Sequence, residues 1–238
     1  FFKTELILIW HANPVYTNIT WYHYVQEARY NGSDVVTIAP DFSPSAIHAD
    51  VHVPIAIGTD TAFANAMSQV ILSEGLEDLD FIRSQTDLPL LVRMDDRRLL
   101  RGSDLDGGEE DQFYWLDTNS GEVVPAPKAT LDPGGVVSAL EGSARVRLAS
   151  GAEVEVRPVM TLLREMLDRD YTPERIEKLS GIHPDTTRML ARKVAAKRTR
   201  FLMGWNSGKY YHGDLMERSM SLLLGLTGNW GKHGTGLR

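Results

Sequence analysis

The sequence predicts an α/β fold with a parallel sheet and a β-rich insertion in the middle of the chain. Two strands of the buried type, Glu5–Trp10 and Asp34–Ala39, flank a helix-forming segment. This strand–helix–strand spacing is typical of a right-handed βαβ unit, whose strands lie parallel. From about Asp95 to Arg157 the pattern changes, because Gly, Pro and Asn interrupt short segments of alternating polarity.

The helices and strands before the insertion are predicted from apolar runs and from residues that typically begin or end a helix. Asn31-Gly32 is a strong C-terminal stop for a helix, and Asp60 can cap the helix that follows Gly58. The predicted strands are Glu5–Trp10, Asp34–Ala39 and Val51–Pro54. The predicted helices are Tyr22–Tyr30, Gly58 to about Glu74, and Leu79–Gln85.

The insertion is predicted to hold two hairpins, and helices return after it. Turn residues separate the strand pairs, and Thr172-Pro173 is a helix start. The hairpins are Phe113–Leu116 with Glu122–Val124, and Ala144–Leu148 with Ala152–Val156. The later elements are helices Val159–Arg169, Pro173–Ser180 and Asp185–Lys197, strand Thr199–Met203 and helix Asp214–Leu226. We therefore divide the chain into residues 1–94, 95–157 and 158–238.

The composition indicates an ordinary globular chain. It has 238 residues, of which 42% are hydrophobic and 24% charged, enough for one large domain or two small ones. The sequence has no cysteine, which excludes disulfides, zinc–thiolate sites and iron–sulfur ligation within it. No apolar run approaches the roughly 20 residues of a membrane span, so we expect none. The start at Phe1 and the end in a Gly-rich loop predict an internal piece of a longer protein.

The net charge of −7 is unevenly distributed. Ten of the 25 Lys and Arg residues follow Thr187, where Asp214 and Glu217 are the acidic residues. An acidic chain with one basic region is a poor general nucleic-acid binder, so we expect no nucleic-acid partner. The basic region suits a buried anionic small molecule, or it is simply the solvated face of helix Asp185–Lys197.

Three early loops have the composition of ligand sites. Trp10-His11-Ala12-Asn13-Pro14 and Ala39-Pro40-Asp41, with Ser45, follow strands, and ligands of open α/β sheets bind at the carboxyl ends of strands. Gly58-Thr59-Asp60 presents backbone N–H groups at a helix start. Taken singly, each loop is equally well an ordinary turn or cap. The sequence has no GxGxxG motif in the first loop, and its histidines have no strong metal spacing.

The last third carries the most informative loops. Gly204–Asp214 and Thr227–Gly236 bracket one apolar helix and are rich in Gly, Asn and aromatic residues. Such loops let a backbone approach a large polar ligand closely. Together with the first loop, they predict a bulky, pseudo-symmetric cofactor.

In this order, these segments resemble the catalytic subunits of the dimethyl sulfoxide reductase family of molybdopterin oxidoreductases. The resemblance is to the branch with nitrate, selenate and chlorate reductases, dimethyl sulfide dehydrogenase and ethylbenzene dehydrogenase. It covers nearly the whole chain and is weakest in residues 95–157. The carrying segments, besides the C-terminal loops, are residues 10–14, 27–32, 39–45, 58–60 and 86–93. The implied fold has doubly wound, Rossmann-like parallel sheets in two pseudo-symmetric halves, with most of one half and the start of the other in this chain.

The resemblance implies molybdenum-bis(molybdopterin guanine dinucleotide) as the cofactor. The residues implied for one nucleotide are Trp10, His11, Asn13, Ala39, Pro40, Asp41, Ser45, Gly58, Thr59 and Asp60. Those implied for the other are Gly204, Trp205, Asn206, Tyr211, His212 and Asp214. The family's [4Fe-4S] cluster and the aspartate that binds molybdenum are expected upstream of Phe1. We therefore expect no metal ligand in this chain and no activity from it alone.

Within the branch, Asn206–Asp214 resembles the hydrocarbon and steroid side-chain hydroxylases more than the nitrate reductases. In ethylbenzene dehydrogenase-like enzymes a lysine at about the position of Lys209 points at the metal site. This predicts water-dependent hydroxylation of hydrocarbon C–H bonds, with Lys209 as a catalytic residue or as the partner of a cofactor phosphate. The alternatives are an oxyanion reductase and a non-catalytic nucleotide-binding module. The implied partners are an iron–sulfur electron-transfer subunit and a haem b subunit. The implied location is the periplasm, with the cytoplasm as the alternative.

Overall fold

The computed structural model describes residues 1–105, 107–204 and 207–238. They form two compact units. The first consists of Phe1–Asp78 with Leu167–Arg238, and the second of Leu79–Met166. The predicted insertion of residues 95–157 falls inside the second unit.

The secondary structure alternates in the first unit and is mainly β in the second. The strands are β1 (Leu6–Trp10), β2 (Asp34–Ile38), β3 (Val51–Val53), β4 (Leu91–Arg93), β5 (Tyr114–Leu116), β6 (Val123–Pro125), β7 (Ala144–Arg147), β8 (Glu153–Pro158), β9 (Thr199–Met203) and β10 (Gly236–Leu237). The helices are α1 (Pro14–Thr17), α2 (Ile19–Tyr30), α3 (Pro44–Ile47), α4 (Asp60–Ser73), α5 (Leu79–Gln85), α6 (Val159–Asp170), α7 (Pro173–Ser180), α8 (Pro184–Ala196) and α9 (Gly213–Leu226).

The predicted helices, strands and hairpins are confirmed, with ends that differ by a few residues. Helix α2 begins at Ile19 instead of Tyr22, after Asn18. The sequence missed α1, α3, β4 and β10, which have two to four residues each. Segments so short show no periodicity, and their pairing partners define the two strands. Among the described residues, no helix is long and apolar enough to span a bilayer.

The first unit is built on a five-stranded parallel sheet in the order β10-β9-β1-β2-β3. Strand β1 lies at its centre, and each of its residues is at most 1% exposed. Its continuous apolar run is explained by this position, because a central parallel strand is covered on both faces. The predicted α/β class with a parallel sheet is therefore confirmed.

Helices cover both faces of this sheet, as in a doubly wound fold. Ile7 and Ile9 of β1 pack in one cluster with Val25 of α2. On the opposite face the Trp10 ring lies 5.5 Å from Phe63 of α4 and 6.0 Å from Phe201 of β9, measured between ring centroids. The residues of β1 alternate between the two faces because successive side chains of a strand point in opposite directions.

Strand β9, which was expected to open a second half, lies directly beside β1. The register pairs Leu6 with both Asp34 of β2 and Thr199 of β9. The first and the last of the strands predicted from the sequence therefore belong to one sheet.

The second unit contains antiparallel strands in the order β4-β8-β7 and the separate hairpin β5–β6. Both predicted hairpins are present, as β5–β6 and β7–β8. Leu91, Leu116 and Val156 belong to its apolar core cluster. Strand β4 completes the sheet by pairing with β8, which local sequence does not reveal.

An ion pair links β2 to α8, and it predicts a pH-dependent stability. Lys193 and Lys197 each lie 2.6 Å from Asp34 Oδ2. Burial alone would raise the pKa of Asp34, but the two lysine hydrogen bonds outweigh it and hold the pKa below its ordinary value of 3.8. The stabilisation is therefore present above the unfolded-state pKa and is lost as the pH falls through the folded-state pKa.

We accordingly expect Asp34→Asn to lower the free energy of unfolding by about 1–2 kcal/mol at pH 7. The difference from the wild type should shrink towards zero below pH 3.8. Urea unfolding at a series of pH values measures it. A deficit that stays constant down to the acid limit would show that the ion pair is not its cause.

Candidate functional site

The candidate site lies at the carboxyl edge of the parallel sheet. The register places Trp10 level with Ile38 of β2 and with Met203 of β9, so the three following loops start side by side. The chain proceeds outwards from β1 to β2 and β3 on one side, and from β9 to β10 on the other. The strand order therefore reverses between β1 and β9, and ligands of open α/β sheets bind at this switch point.

A cleft of about 1020 Å³ opens at this edge, which is large enough for a nucleotide-sized ligand. It brings together residues from all three early loops and from the loop after β9. The predicted cofactor-binding residues that line it are His11, Asn13, Ala39, Pro40, Asp41, Gly58, Asp60 and Gly204.

Ser45 does not line the cleft but orients Asn13, which does. The Ser45 hydroxyl donates to Asn13 Oδ1 at 2.6 Å and accepts the Val15 N–H at 3.3 Å. Because the hydroxyl hydrogen is used by Asn13 Oδ1, the Asn13 Nδ2 group is left as a donor. Ser45 is fully buried. It therefore presets Asn13 to bind an acceptor atom.

Trp10 orients Asp60 by a hydrogen bond, as Ser45 orients Asn13. Its ring is fully buried and is not part of the cleft wall, and its Nε1–H donates to Asp60 Oδ1 at 2.9 Å. Asp60 is 7% exposed and lines the cleft. Among the described residues no hydrogen bond to Asp60 Oδ2 occurs, so this oxygen can accept from a ligand. The cleft thus pairs one fixed donor with one fixed acceptor.

The loop after β9 touches the loop after β1 at Gly204. A Cβ at Gly204 would lie 1.8 Å from the His11 carbonyl oxygen, so only glycine fits there. His11 has a positive φ of 55°, and Tyr210 meets its ring edge-on at 5.3 Å. Its Nδ1 is buried and has no hydrogen-bond partner among the described residues. A buried unsatisfied nitrogen at a cleft wall is suited to a ligand hydrogen bond.

Other predicted residues lie outside the cleft wall. Thr59 hydrogen-bonds the Ala56 carbonyl. Tyr211, His212 and Asp214 are exposed around the start of α9, and Lys209 is exposed in the 3-10 turn Ser207–Lys209. Trp205 and Asn206 lie outside the described residues.

Sequence reasoning missed several wall residues, among them Trp21, Tyr210, Glu217 and Arg238. The Arg238 guanidinium lies 5.2 Å from the Trp21 ring centroid, a cation–π contact. Burial and the charge of Arg238 both lower the pKa of Arg200. In the sequence, the excess of basic residues after Thr187 indicated positive charge near a ligand site. The pairing of β9 with β10 decides that part of this charge lies at the cleft wall.

Comparison with known proteins identifies the family. The model of the molybdopterin oxidoreductase family matches residues 1–238. The chain belongs to the molybdopterin oxidoreductases. The proteins to which it is similar are catalytic subunits of the dimethyl sulfoxide reductase family, which confirms the predicted resemblance. Membership implies a molybdenum–pterin cofactor.

Three curated relatives of this oxidoreductase chain are each 37% identical to it. They are the alpha subunits of perchlorate reductase from Dechloromonas aromatica, chlorate reductase from Ideonella dechloratans and dimethylsulfide dehydrogenase from Rhodovulum sulfidophilum. The alignments cover 99%, 98% and 98% of this chain but 28%, 26% and 26% of the relatives. The chain thus spans little more than a quarter of their length.

Among solved structures, acetylene hydratase from Pelobacter acetylenicus has the same fold. The TM-score is 0.60 at 13% identity, over 98% of this chain and 22% of that one. At this identity the likeness concerns the fold alone. The relatives do not support the narrower expectation of hydrocarbon hydroxylation, since the named ones are mainly oxyanion reductases.

Proposed function

We propose that this oxidoreductase chain holds one guanine nucleotide arm of the molybdenum cofactor in the catalytic subunit of an oxyanion reductase. The observation that carries the proposal is the fixed donor and acceptor pair in the cleft. Asn13 Nδ2 is left as a donor by Ser45, and Asp60 Oδ2 is left as an acceptor by Trp10.

Guanine matches this polarity. It carries acceptors at O6 and N7 and donors on the edge that bears its 2-amino group. The Asp60 carboxylate can accept from that donor edge, and a hydrogen bond to a charged acceptor is stronger than one to a neutral acceptor. Asn13 and the unsatisfied His11 Nδ1 can serve the phosphate, ribose or base acceptors. Gly204 and His11 both line the cleft, and the loops that carry them are in close contact there.

The residues of this chain bind and orient the cofactor, and the bound molybdenum supplies oxygen-atom and electron transfer. Ile55, Ile57 and Leu202 contribute apolar side chains to the cleft wall. The aspartate ligand to molybdenum and the [4Fe-4S] cluster belong, in this proposal, to other parts of the subunit. The proposed partners are an iron–sulfur subunit and a haem b subunit, and the proposed location is the periplasm.

Oxyanion reduction is preferred because, of the three relatives at 37% identity, two are perchlorate and chlorate reductase subunits and one is a dimethylsulfide dehydrogenase subunit. A respiratory nitrate reductase subunit from Haloferax mediterranei, 35% identical over 99% of this chain, adds to the oxyanion reductases. Hydroxylation of C–H bonds depended on Lys209, whose exposed position outside the cleft wall adds no support to it.

The complete subunit, purified with its partners, tests the proposal. Metal analysis and acid hydrolysis should find molybdenum and guanosine monophosphate, and reduced viologen should be oxidised on addition of chlorate, perchlorate or nitrate. A preparation without guanine nucleotide would contradict the role of the cleft. Turnover of ethylbenzene with an artificial acceptor, and none of the oxyanions, would contradict the proposed reaction.

Ser45→Ala should weaken retention of the nucleotide without unfolding the chain. Loss of the hydroxyl frees Asn13 to rotate, which removes about one neutral hydrogen bond, or a change of roughly 5-fold in nucleotide affinity. The measurement is the loss of the intact cofactor during dialysis, followed as the guanosine monophosphate that acid hydrolysis still releases from the retained protein. The matched control is Ser84→Ala, since exposed Ser84 donates to the backbone carbonyl of Asp80 in α5 and does not line this cleft. Equal retention by both variants would remove the role assigned to Ser45.

A further inference from the structure

The second unit has a cleft of its own, separate in sequence from the nucleotide site. It measures about 840 Å³ and is lined by residues from α5, the β5–β6 hairpin and the loop of residues 127–138. Tyr114 and Leu116 of β5 pack on the core cluster of this unit. Strand side chains alternate between faces, so Phe113 and Trp115 lie on the opposite face, and both line the cleft.

Trp115 lines the cleft and carries an unused hydrogen-bond donor. The residue is 8% exposed, and its Nε1–H is buried without a partner among the described residues. Buried indole N–H groups normally find an acceptor. The acceptor for this N–H is then supplied by water, by a bound molecule or by another chain segment.

Arg83 of α5 supplies a second donor to the same cleft. Its Nε donates to the Ser138 carbonyl at 3.2 Å, and among the described residues it has no ion-pair partner. The other cation of the wall, Lys128, is already paired with Asp111 at 2.7 Å and with Glu109 at 2.9 Å. The terminal guanidinium N–H groups of Arg83 are thus available to an anion.

The remaining wall is largely apolar. It includes Pro127, Leu131, Pro133, Val136 and Val137, of which Leu131 is 66% exposed. Ligand pockets typically combine such apolar walls with a few placed polar groups. Asp80 and Asp87 also line the cleft, but both are exposed to solvent.

We propose that this cleft binds a small amphipathic carboxylate, with its apolar body on Phe113 and Trp115 and its carboxylate oxygens on the Trp115 Nε1–H and the Arg83 guanidinium. The residues of this cleft belong to the second unit, whereas those of the nucleotide cleft belong to the first. Binding there is non-covalent and involves no chemical reaction.

The probe is 2-naphthoate, which carries one carboxylate on a flat apolar body. Isothermal titration calorimetry of the complete subunit should show one binding site for it. Uncharged 2-naphthalenemethanol should bind at least about 10-fold more weakly, as expected for loss of a charged hydrogen-bond acceptor. Trp115→Phe, which keeps the ring but removes the donor, should weaken naphthoate binding about 5-fold, and Arg83→Met about 10-fold or more.

Tyr114→Phe is the matched control, because Tyr114 lies on the other face of the same strand. It should leave naphthoate binding unchanged. Absence of naphthoate binding by the wild type would overturn the proposal and would mean that another segment fills the cleft. Equal affinities for the wild type, Trp115→Phe and Arg83→Met, all with native circular dichroism, would overturn it as well. Naphthoate binding is measured separately from guanine nucleotide content, so a failure of the proposed function and a failure of this site can be told apart.

Discussion

Asp60→Asn is expected to remove most of the guanine nucleotide from the purified subunit. The Trp10 Nε1–H donates to the carboxylate at 2.9 Å, so the amide of the variant must keep its oxygen towards Trp10. Its NH₂ group then faces the donor edge of guanine, and two donors meet. Losing a hydrogen bond to a charged group costs about 1.5–3 kcal/mol, which corresponds to roughly 10- to 100-fold in nucleotide affinity.

The measurement is guanosine monophosphate released by acid hydrolysis per polypeptide, together with molybdenum content. Asp185→Asn is the control, because Asp185 is an exposed acid in the first turn of α8 and does not line the cleft. Full guanine content in the Asp60 variant would contradict the proposed contact. Equal losses in both variants would indicate a general effect of charge.

Gly204→Ala is expected to have the largest effect on stability. The added Cβ would lie 1.8 Å from the His11 carbonyl oxygen, whereas real contacts of this kind are longer than 3.0 Å. The obstacle is backbone, so relief requires the ends of β1 and β9 to separate. Overpacking of a close-packed site costs about 1–3 kcal/mol and sometimes more, and we expect about 3 kcal/mol or more here. Urea unfolding of the purified protein measures the loss.

Gly208→Ala is the matched control. No atom of the described residues lies within 4 Å of a Cβ built on Gly208, and its φ is not in the left-handed region. Its effect on the free energy of unfolding should lie within about 0.5 kcal/mol. If Gly204→Ala were as stable as Gly208→Ala, the close approach of the two loops would be wrong.

The loops of the candidate site could be found from the sequence because they follow recognisable strands. Glu5–Trp10 and Asp34–Ala39 are apolar runs that end in polar turns, and in parallel sheets such ends share an edge. The roles of single residues were less accessible. Trp10 and Ser45 were expected to touch the cofactor, yet both are fully buried and act on Asp60 and Asn13.

Residues such as Tyr210 and Arg238 could not be placed from local patterns. They enter the cleft wall because β9 and β10 extend the sheet on the side of β1 opposite to β2. That arrangement depends on pairing between residues almost 200 positions apart, as between Leu6 and Thr199. That the Trp115 Nε1–H has no acceptor within the described part of the chain was equally hidden, since a sequence does not tell which buried donors find acceptors.

The sequence by itself determined the α/β class, the β-rich insertion, the family and the loops that approach a ligand, because periodicity, turn residues and motif order are local. Only the tertiary structure decided that the loops after β1, β2 and β9 meet in one cleft. It also decided that Ser45 makes Asn13 a donor and that Trp10 leaves Asp60 an acceptor. Hydrogen-bond polarity depends on which atoms lie within about 3 Å of each other, and long-range packing sets those distances.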